Sequence, residues 1–402
     1  MQFYRQQCEK CDAYPNHATA FISILFVGLI LCVLFVSCNN QVNNVVDSDS
    51  VLLEESTADD VTDNADAPID GTMQPVKPTT YMLNDIVEKL KIHGRTEFLQ
   101  GGIACDFTAS GIEFSLQAEG EVALTVTPTK DTFFTVWVDG VRMEERLFAP
   151  ARQTDLILAS FSDQRVHTIR VLKQTEAQFS LCVLNSLRFV GDMSDPPRDC
   201  KKYVEIIGDS IVCGHGILCL NGEKEQGTAL YEDGTLGFAY LTAETLGADC
   251  SIVGCSGIGI DKGFTTFSED DFYPKASYYR DRGTAYGFSR KPDLVVINLG
   301  TNDQMKGSSE MVFKAGVRSL IAFIREQYGD VNIVWTYNMM RDNTVEPWVR
   351  AVIEELGGEQ NGLYICKLNR DLQGGNGHPT EDGHLIASRI LVSFVNEKGL
   401  FT

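Results

Sequence analysis

The hydrophobic rhythm of the chain changes near residue 200. Before that point apolar positions recur every second residue: Ile112, Phe114 and Leu116; Val122, Leu124 and Val126; Phe134, Val136 and Val138. A period of two belongs to strands with one face on a core. Turn formers separate the runs, among them Ala109-Ser110-Gly111, Glu119-Gly120 and Asp139-Gly140. Repeated short strands without helix-length segments predict an all-β sandwich, jelly-roll-like, over residues 81–195. From Cys200 onward, continuous apolar runs at Val204–Ile207, Ile252–Val253, Leu294–Leu299, Ile333–Trp335 and Leu363–Cys366 take over. Between them lie amphipathic segments at Phe238–Leu246, Glu310–Tyr328, Pro347–Leu356 and Glu381–Glu397. Strands apolar on both faces and linked by helices predict a parallel sheet covered on both sides, a three-layer α/β/α domain over residues 200–402. Pro196 and Pro197 supply a stiff, extended join between the two.

The first eighty residues have neither rhythm. Ala18–Ser37 is uncharged and rich in Ile, Leu, Val and Phe, long enough as a helix to cross a bilayer core of roughly 30 Å. Residues 1–38 therefore predict an export signal or a membrane anchor. The run closes on Leu34-Phe35-Val36-Ser37-Cys38, which resembles the lipobox of bacterial lipoproteins. That resemblance implies lipid on Cys38 and is preferred over an uncleaved anchor. Either alternative puts the rest of the chain outside the cytosol, tethered at a membrane. Residues 39–80 follow as a linker: from Asn39 to Val76 there are nine acidic residues and no basic one, a composition that cannot offset its own ordering entropy.

The 402 residues are 44% hydrophobic, as in a globular protein, and carry a formal net charge of −21. With no cluster of Lys and Arg to neutralise phosphates, nucleic acid is excluded as a partner. Of twelve cysteines, eight follow Cys38. Export permits disulfides, and Cys213 and Cys219 are near enough in sequence to pair, although spacing assigns none. Zinc is disfavoured because no Cys-x-x-Cys follows Cys38, so the expectation is buried thiols, no metal and no cofactor.

Chemistry gathers at the ends of the apolar runs. The first, Tyr203–Ile207, stops at Gly208-Asp209-Ser210; others stop at Gly254-Cys255-Ser256-Gly257 and Asn298-Leu299-Gly300-Thr301-Asn302. In an open parallel sheet ligands bind beyond the carboxyl ends of the strands. Near the C-terminus stands Gly377-His378-Pro379-Thr380. In this order the four blocks resemble those of the SGNH, or GDSL-type, hydrolases. The resemblance implies a nucleophile at Ser210, a base at His378, and an oxyanion hole made by the N–H groups of Ser210 and Gly257 and the amide of Asn302. The remaining histidines fit less well: His215 is too local to Ser210, and His384 shares an apolar helical stripe with Ala387 and Leu391.

Members of that superfamily place an aspartate three residues before the histidine. Here that position is Gly375, and neither Asp371 nor Asp382 has the spacing. The expectation is a Ser210–His378 dyad whose second ring nitrogen is held by a backbone carbonyl or an amide. A sandwich ahead of an SGNH domain is similar to carbohydrate esterase family 2, and Asp139-Gly140, the stretch from Glu232 to Tyr240, and Ile333–Met340 resemble segments of that family. The resemblance implies deacetylation of polysaccharide. A tryptophan that some members carry before the histidine is Gly377 here. Aromatic residues near the glycine block, Phe264, Phe267, Phe272, Tyr273, Tyr278, Tyr279 and Tyr286, either stack on sugar or pack on one another. The alternatives are a lipase or thioesterase on the same fold, and a carbohydrate-binding relative without turnover.

Overall fold

The computed structural model describes residues 77–219, 228–278, 284–341 and 344–401, all within one compact unit that begins at Thr72. The proposed span at Ala18–Ser37, Cys38, the acidic linker up to Val76 and Tyr279 lie outside the described residues. No described helix is long and apolar enough to cross a membrane.

The two rhythms become two sheets. The first contains β1 (Thr79–Met82), β2 (Leu90–His93), β3 (Thr96–Leu99), β4 (Gly102–Cys105), β5 (Gly111–Pro128) and β6 (Thr132–Val138). It continues with β7 (Val141–Arg142), β8 (Leu147–Ala149), β9 (Thr154–Phe161), β10 (Val166–Lys173) and β11 (Cys182–Met193). Glu119-Gly120 is not the expected turn: β5 runs straight through it, with Gly120 at φ +75°. Before that glycine β5 pairs with β2 and β10 and from it onward with β9, while β11 runs alongside both stretches. One glycine thus lets a single strand serve two sets of neighbours around the core of Ile112, Phe114, Leu124, Val136 and Leu187. Asp139-Gly140 does turn, with both residues at positive φ between β6 and β7.

The second sheet is parallel, in the order β13-β12-β14-β15-β16: Asp249–Gly254, Tyr203–Gly208, Leu294–Asn298, Asn332–Tyr337 and Leu363–Lys367. Helices α1 (Phe238–Thr245), α2 (Glu269–Phe272), α3 (Thr301–Lys306), α4 (Glu310–Tyr328), α5 (Glu346–Glu355) and α6 (Glu381–Glu397) surround it. Alternate residues of each strand face opposite layers. Ile207, Val295, Ile297 and Ile333 pack with Val317 and Leu320 of α4 and Val352 of α5. Val204, Ile206, Val296 and Val334 pack with Phe238 of α1 and Leu391 of α6. This is the three-layer arrangement that the continuous apolar runs demand.

None of the eight described cysteines is in a disulfide. Cys213 and Cys219, near enough in sequence to pair, are separately buried and unbridged.

Candidate active site

Ser210, Gly257 and Asn302 each follow the carboxyl end of a strand: β12, β13 and β14 respectively. Because these three strands are adjacent in the sheet, residues far apart in sequence meet at one edge. A cleft of about 910 Å³ lies elsewhere, lined by Lys291, Arg318, Arg325, Asn332 and Leu363 where strands begin.

The Ser210 hydroxyl donates to Nε2 of His378 at 2.7 Å. The Nδ1–H of the same ring donates to the carbonyl of Gly375 at 3.0 Å. A carbonyl can only accept, so the proton sits on Nδ1 and Nε2 keeps its lone pair for the serine. The Gly375 carbonyl also accepts the backbone N–H of His378 at 3.0 Å, which closes a short turn through Asn376 and Gly377, both at positive φ. Asp371 takes no part: its carboxylate accepts the backbone N–H and hydroxyl of Thr380 and the N–H of Gln373. Thr380 in turn caps α6 by accepting from Gly383 N–H at 3.1 Å.

Asn302 ties the serine and glycine blocks together. Its amide donates to the Asp209 carboxylate at 3.1 Å and to the Ile258 carbonyl at 2.8 Å. Both amide protons are therefore engaged by residues flanking Ser210 and Gly257. Burial pushes the Asp209 carboxyl up to about 7, against the opposing pull of the Ile211 N–H. The N–H groups of Ser210 and Gly257 have no acceptor among the described residues. Gly257 sits at φ +81°, and an added Cβ would meet Phe264 at 3.0 Å, so this turn needs glycine.

Pattern reading assigned no part in the site to Glu232, Glu176 or Gln178. His215, whose ring lies 4.7 Å from that of His378, is 3.2 Å from Glu232 and 4.0 Å from Glu176. Both glutamates are fully buried. Burial and the charge of Glu232 raise the Glu176 carboxyl to about 8. Glu176, His215 and Glu232 each bring one donor atom within 4.8 Å of the others, as no other trio of His, Cys, Asp or Glu does among the described residues. The third, Gln178, belongs with Glu176 to a sandwich loop. No periodicity marks such loop residues, and the polar stretch Gln174–Gln178 reads as an ordinary surface connection.

His384 is buried, and its Nδ1 accepts the Phe238 N–H at 3.1 Å, at the start of α1. Of the aromatic group, Phe272 and Tyr273 are core residues, while Phe267 and Tyr278 pack on Phe272 and on each other. Tyr286 lies over the Arg95 guanidinium. Phe264 is the exposed one of those described, with Lys306 Nζ 3.8 Å above its ring.

A buried serine–imidazole pair at the carboxyl edge of a parallel sheet is the kind of arrangement that acyl-transferring hydrolases use. Residues 206–386 match the model of the GDSL-like lipase/acylhydrolase family. Residues 92–197 match the carbohydrate esterase 2 N-terminal family. Over 325 residues the chain is 26% identical to the cellulase/esterase CelE of Acetivibrio thermocellus, covering 76% of this chain but only 39% of that protein. It is 25% identical over 261 residues to the acetylxylan esterase/glucomannan deacetylase of Cellvibrio japonicus, covering 58% of this chain and 71% of the other. Its fold is shared with a family two carbohydrate esterase from Clostridium thermocellum solved in complex with cellohexaose: TM-score 0.72, 24% identity, 78% of this chain and all (100%) of that one.

Proposed function

We propose that the protein is an extracytoplasmic O-acetyl esterase that removes acetyl groups from polysaccharide or oligosaccharide. One observation carries the reading: the Ser210 hydroxyl donates to an imidazole whose other nitrogen is fixed by the Gly375 carbonyl. Ser210 Oγ attacks the acetyl carbonyl carbon while His378 Nε2 takes its proton. The charge that grows on the carbonyl oxygen is received by the N–H groups of Ser210 and Gly257, with Asn302 sharing an amide proton. Collapse breaks the bond to the sugar oxygen, which leaves with the proton from His378. Water, deprotonated by the same nitrogen, then cleaves the acetyl-serine and releases acetate.

A polysaccharide substrate is supported by the names of the curated relatives, an acetylxylan esterase/glucomannan deacetylase and a cellulase/esterase. Phe264, exposed beside the Gly257 turn, offers a ring to a sugar. The apolar run before Cys38 and the acidic tether after it support a lipid-anchored enzyme working on bulky material outside the cytosol.

Acetate release from acetylated xylan and mannan tests this. Ser210→Ala and His378→Ala are each expected to lower it by at least about 10³-fold with the fold intact. Equal release by wild type and both variants would refute the site, and a preference for long acyl esters would reassign it.

A further inference from the structure

We infer that the sandwich loop Gln174–Phe179 is a working part of the hydrolytic site, in which Glu176 and Gln178 are positioning residues that aim the Gly257 N–H at the acyl oxygen. This rests on the ester-hydrolysing reading above and assigns it two further residues from the other sheet.

The argument turns on one peptide plane. The carbonyl of Ser256 and the N–H of Gly257 belong to the same planar trans unit and point in opposite directions. Gln178 Nε2 donates to that carbonyl, and lies 3.1 Å from Cys255 Sγ. Holding the carbonyl toward the sandwich therefore turns the Gly257 N–H away from it, where it has no acceptor among the described residues. Glu176 Oε2 accepts the Ser256 N–H and fixes the preceding unit. Both sides of Ser256 are thus gripped from one loop. Other anchors are the main-chain bonds of Cys255 N–H to Gly208 O at 3.2 Å, Ile258 N–H to Cys255 O at 3.1 Å and Phe264 N–H to Gly257 O at 2.7 Å, and the Asn302 amide on Ile258 O at 2.8 Å.

The loop that grips is itself braced. Lys173, fully buried, donates to the carbonyls of Asp106, Thr175 and Glu176. Gln174 O accepts the Gly234 N–H at 2.9 Å, and the Glu176 N–H donates to the Glu232 carboxylate. Phe179 stacks on His215 with rings 7° from parallel. Burying a lysine and two glutamates costs several kcal/mol unless each is bonded. A passive spacer would meet the other sheet through apolar side chains. This loop meets it with a carboxyl and an amide, spent on the N–H and carbonyl groups of Ser256, while the Lys173 ammonium braces the loop itself.

Steady-state kinetics on a chromogenic acetate ester, with Tm measured alongside, tests the inference. Glu176→Ala and Gln178→Ala are expected to lower kcat by about tenfold to hundredfold with KM within about twofold, as for a displaced oxyanion donor. Glu176→Gln keeps an oxygen for the Ser256 N–H and is expected to retain kcat within about threefold. A Gln178→Ala variant that is folded and turns over like wild type overturns the inference, even where Glu176→Ala fails to fold. So does a Glu176→Gln variant as impaired as Glu176→Ala. Wild type inactive on every acetate ester instead removes the ester-hydrolysing reading on which the clamp depends.

Discussion

At the scale of a residue, the group behind the His378 ring is the point of departure. A carboxylate behind an imidazole both orients it and offsets the charge it acquires. The Gly375 carbonyl supplies the orientation through a dipole alone. His384 illustrates the opposite use of a histidine. Burial lowers its ring to about 3 from an ordinary 6.5, so it stays neutral and serves as acceptor for the Phe238 N–H at the start of α1. Between those values the unfolded chain binds more protons than the folded one. Stability present above pH 6.5 is therefore lost as the pH falls toward 3. His384→Ala is expected to cost about 2–4 kcal/mol at pH 7 by urea unfolding. Its stability should also decline less than that of wild type between pH 6.5 and 4. Turnover per folded molecule should hardly change, in contrast to His378→Ala.

At the scale of an element, the site consists of turns at strand ends that lean on one another. Gly216, in the turn after Ser210, accepts the Gly375 N–H at 3.0 Å. A Cβ on Gly216 would meet the Gly375 carbonyl oxygen at 2.7 Å, and its φ is +68°. That carbonyl is the atom that holds His378, so the closeness of two backbones sets the aim of its ring. Gly216→Ala is expected to strain the turn by roughly 1–2 kcal/mol and to lower kcat on an acetate ester at least about tenfold. Tm should fall only a few degrees. An unchanged kcat would show that the His378 turn is held from elsewhere. On the far side of the histidine, Asp371 and Thr380 secure the start of α6 and so fix where the turn ends.

At the scale of the molecule, the two sheets are locked by buried charge as well as by apolar contact. Arg95, between β2 and β3, reaches Glu205 of β12 at 2.8 Å, and both side chains are wholly buried. Tyr273 donates its hydroxyl to the other Glu205 oxygen at 2.6 Å. Arg95 also donates to the Lys275 carbonyl at 2.9 Å. Removing one partner leaves a bare charge inside, and Arg95→Met is expected to cost about 3–5 kcal/mol in denaturant unfolding. The double variant with Glu205→Gln should recover part of that loss, since no buried ion then lacks a counterion. No recovery would mean that the cost lies in packing against Tyr273, Tyr286 and Phe288.

Local order was legible because it is short-ranged. The apolar stripe of Glu310–Tyr328 and of Glu381–Glu397 recurs once per turn, and both helices have those bounds. The doubly buried strands announce themselves as unbroken apolar runs, and Gly-Asp-Ser, Gly257, Asn302 and His378 stand out because strand ends are where sheets expose chemistry. The same local view misjudged Glu119-Gly120, since a glycine that bends a strand and one that ends it look alike until the partner strands are known. It expected a backbone carbonyl or an amide behind His378 but did not reach Gly375 as its source, since every residue possesses such a carbonyl; nor did it reach Glu176 and Gln178, which sit some eighty positions from the peptide they grip. Backbone sterics and burial act over a few residues and leave a period in the sequence. Which loop touches which strand end depends on how two finished sheets pack, and that contact leaves no periodic trace.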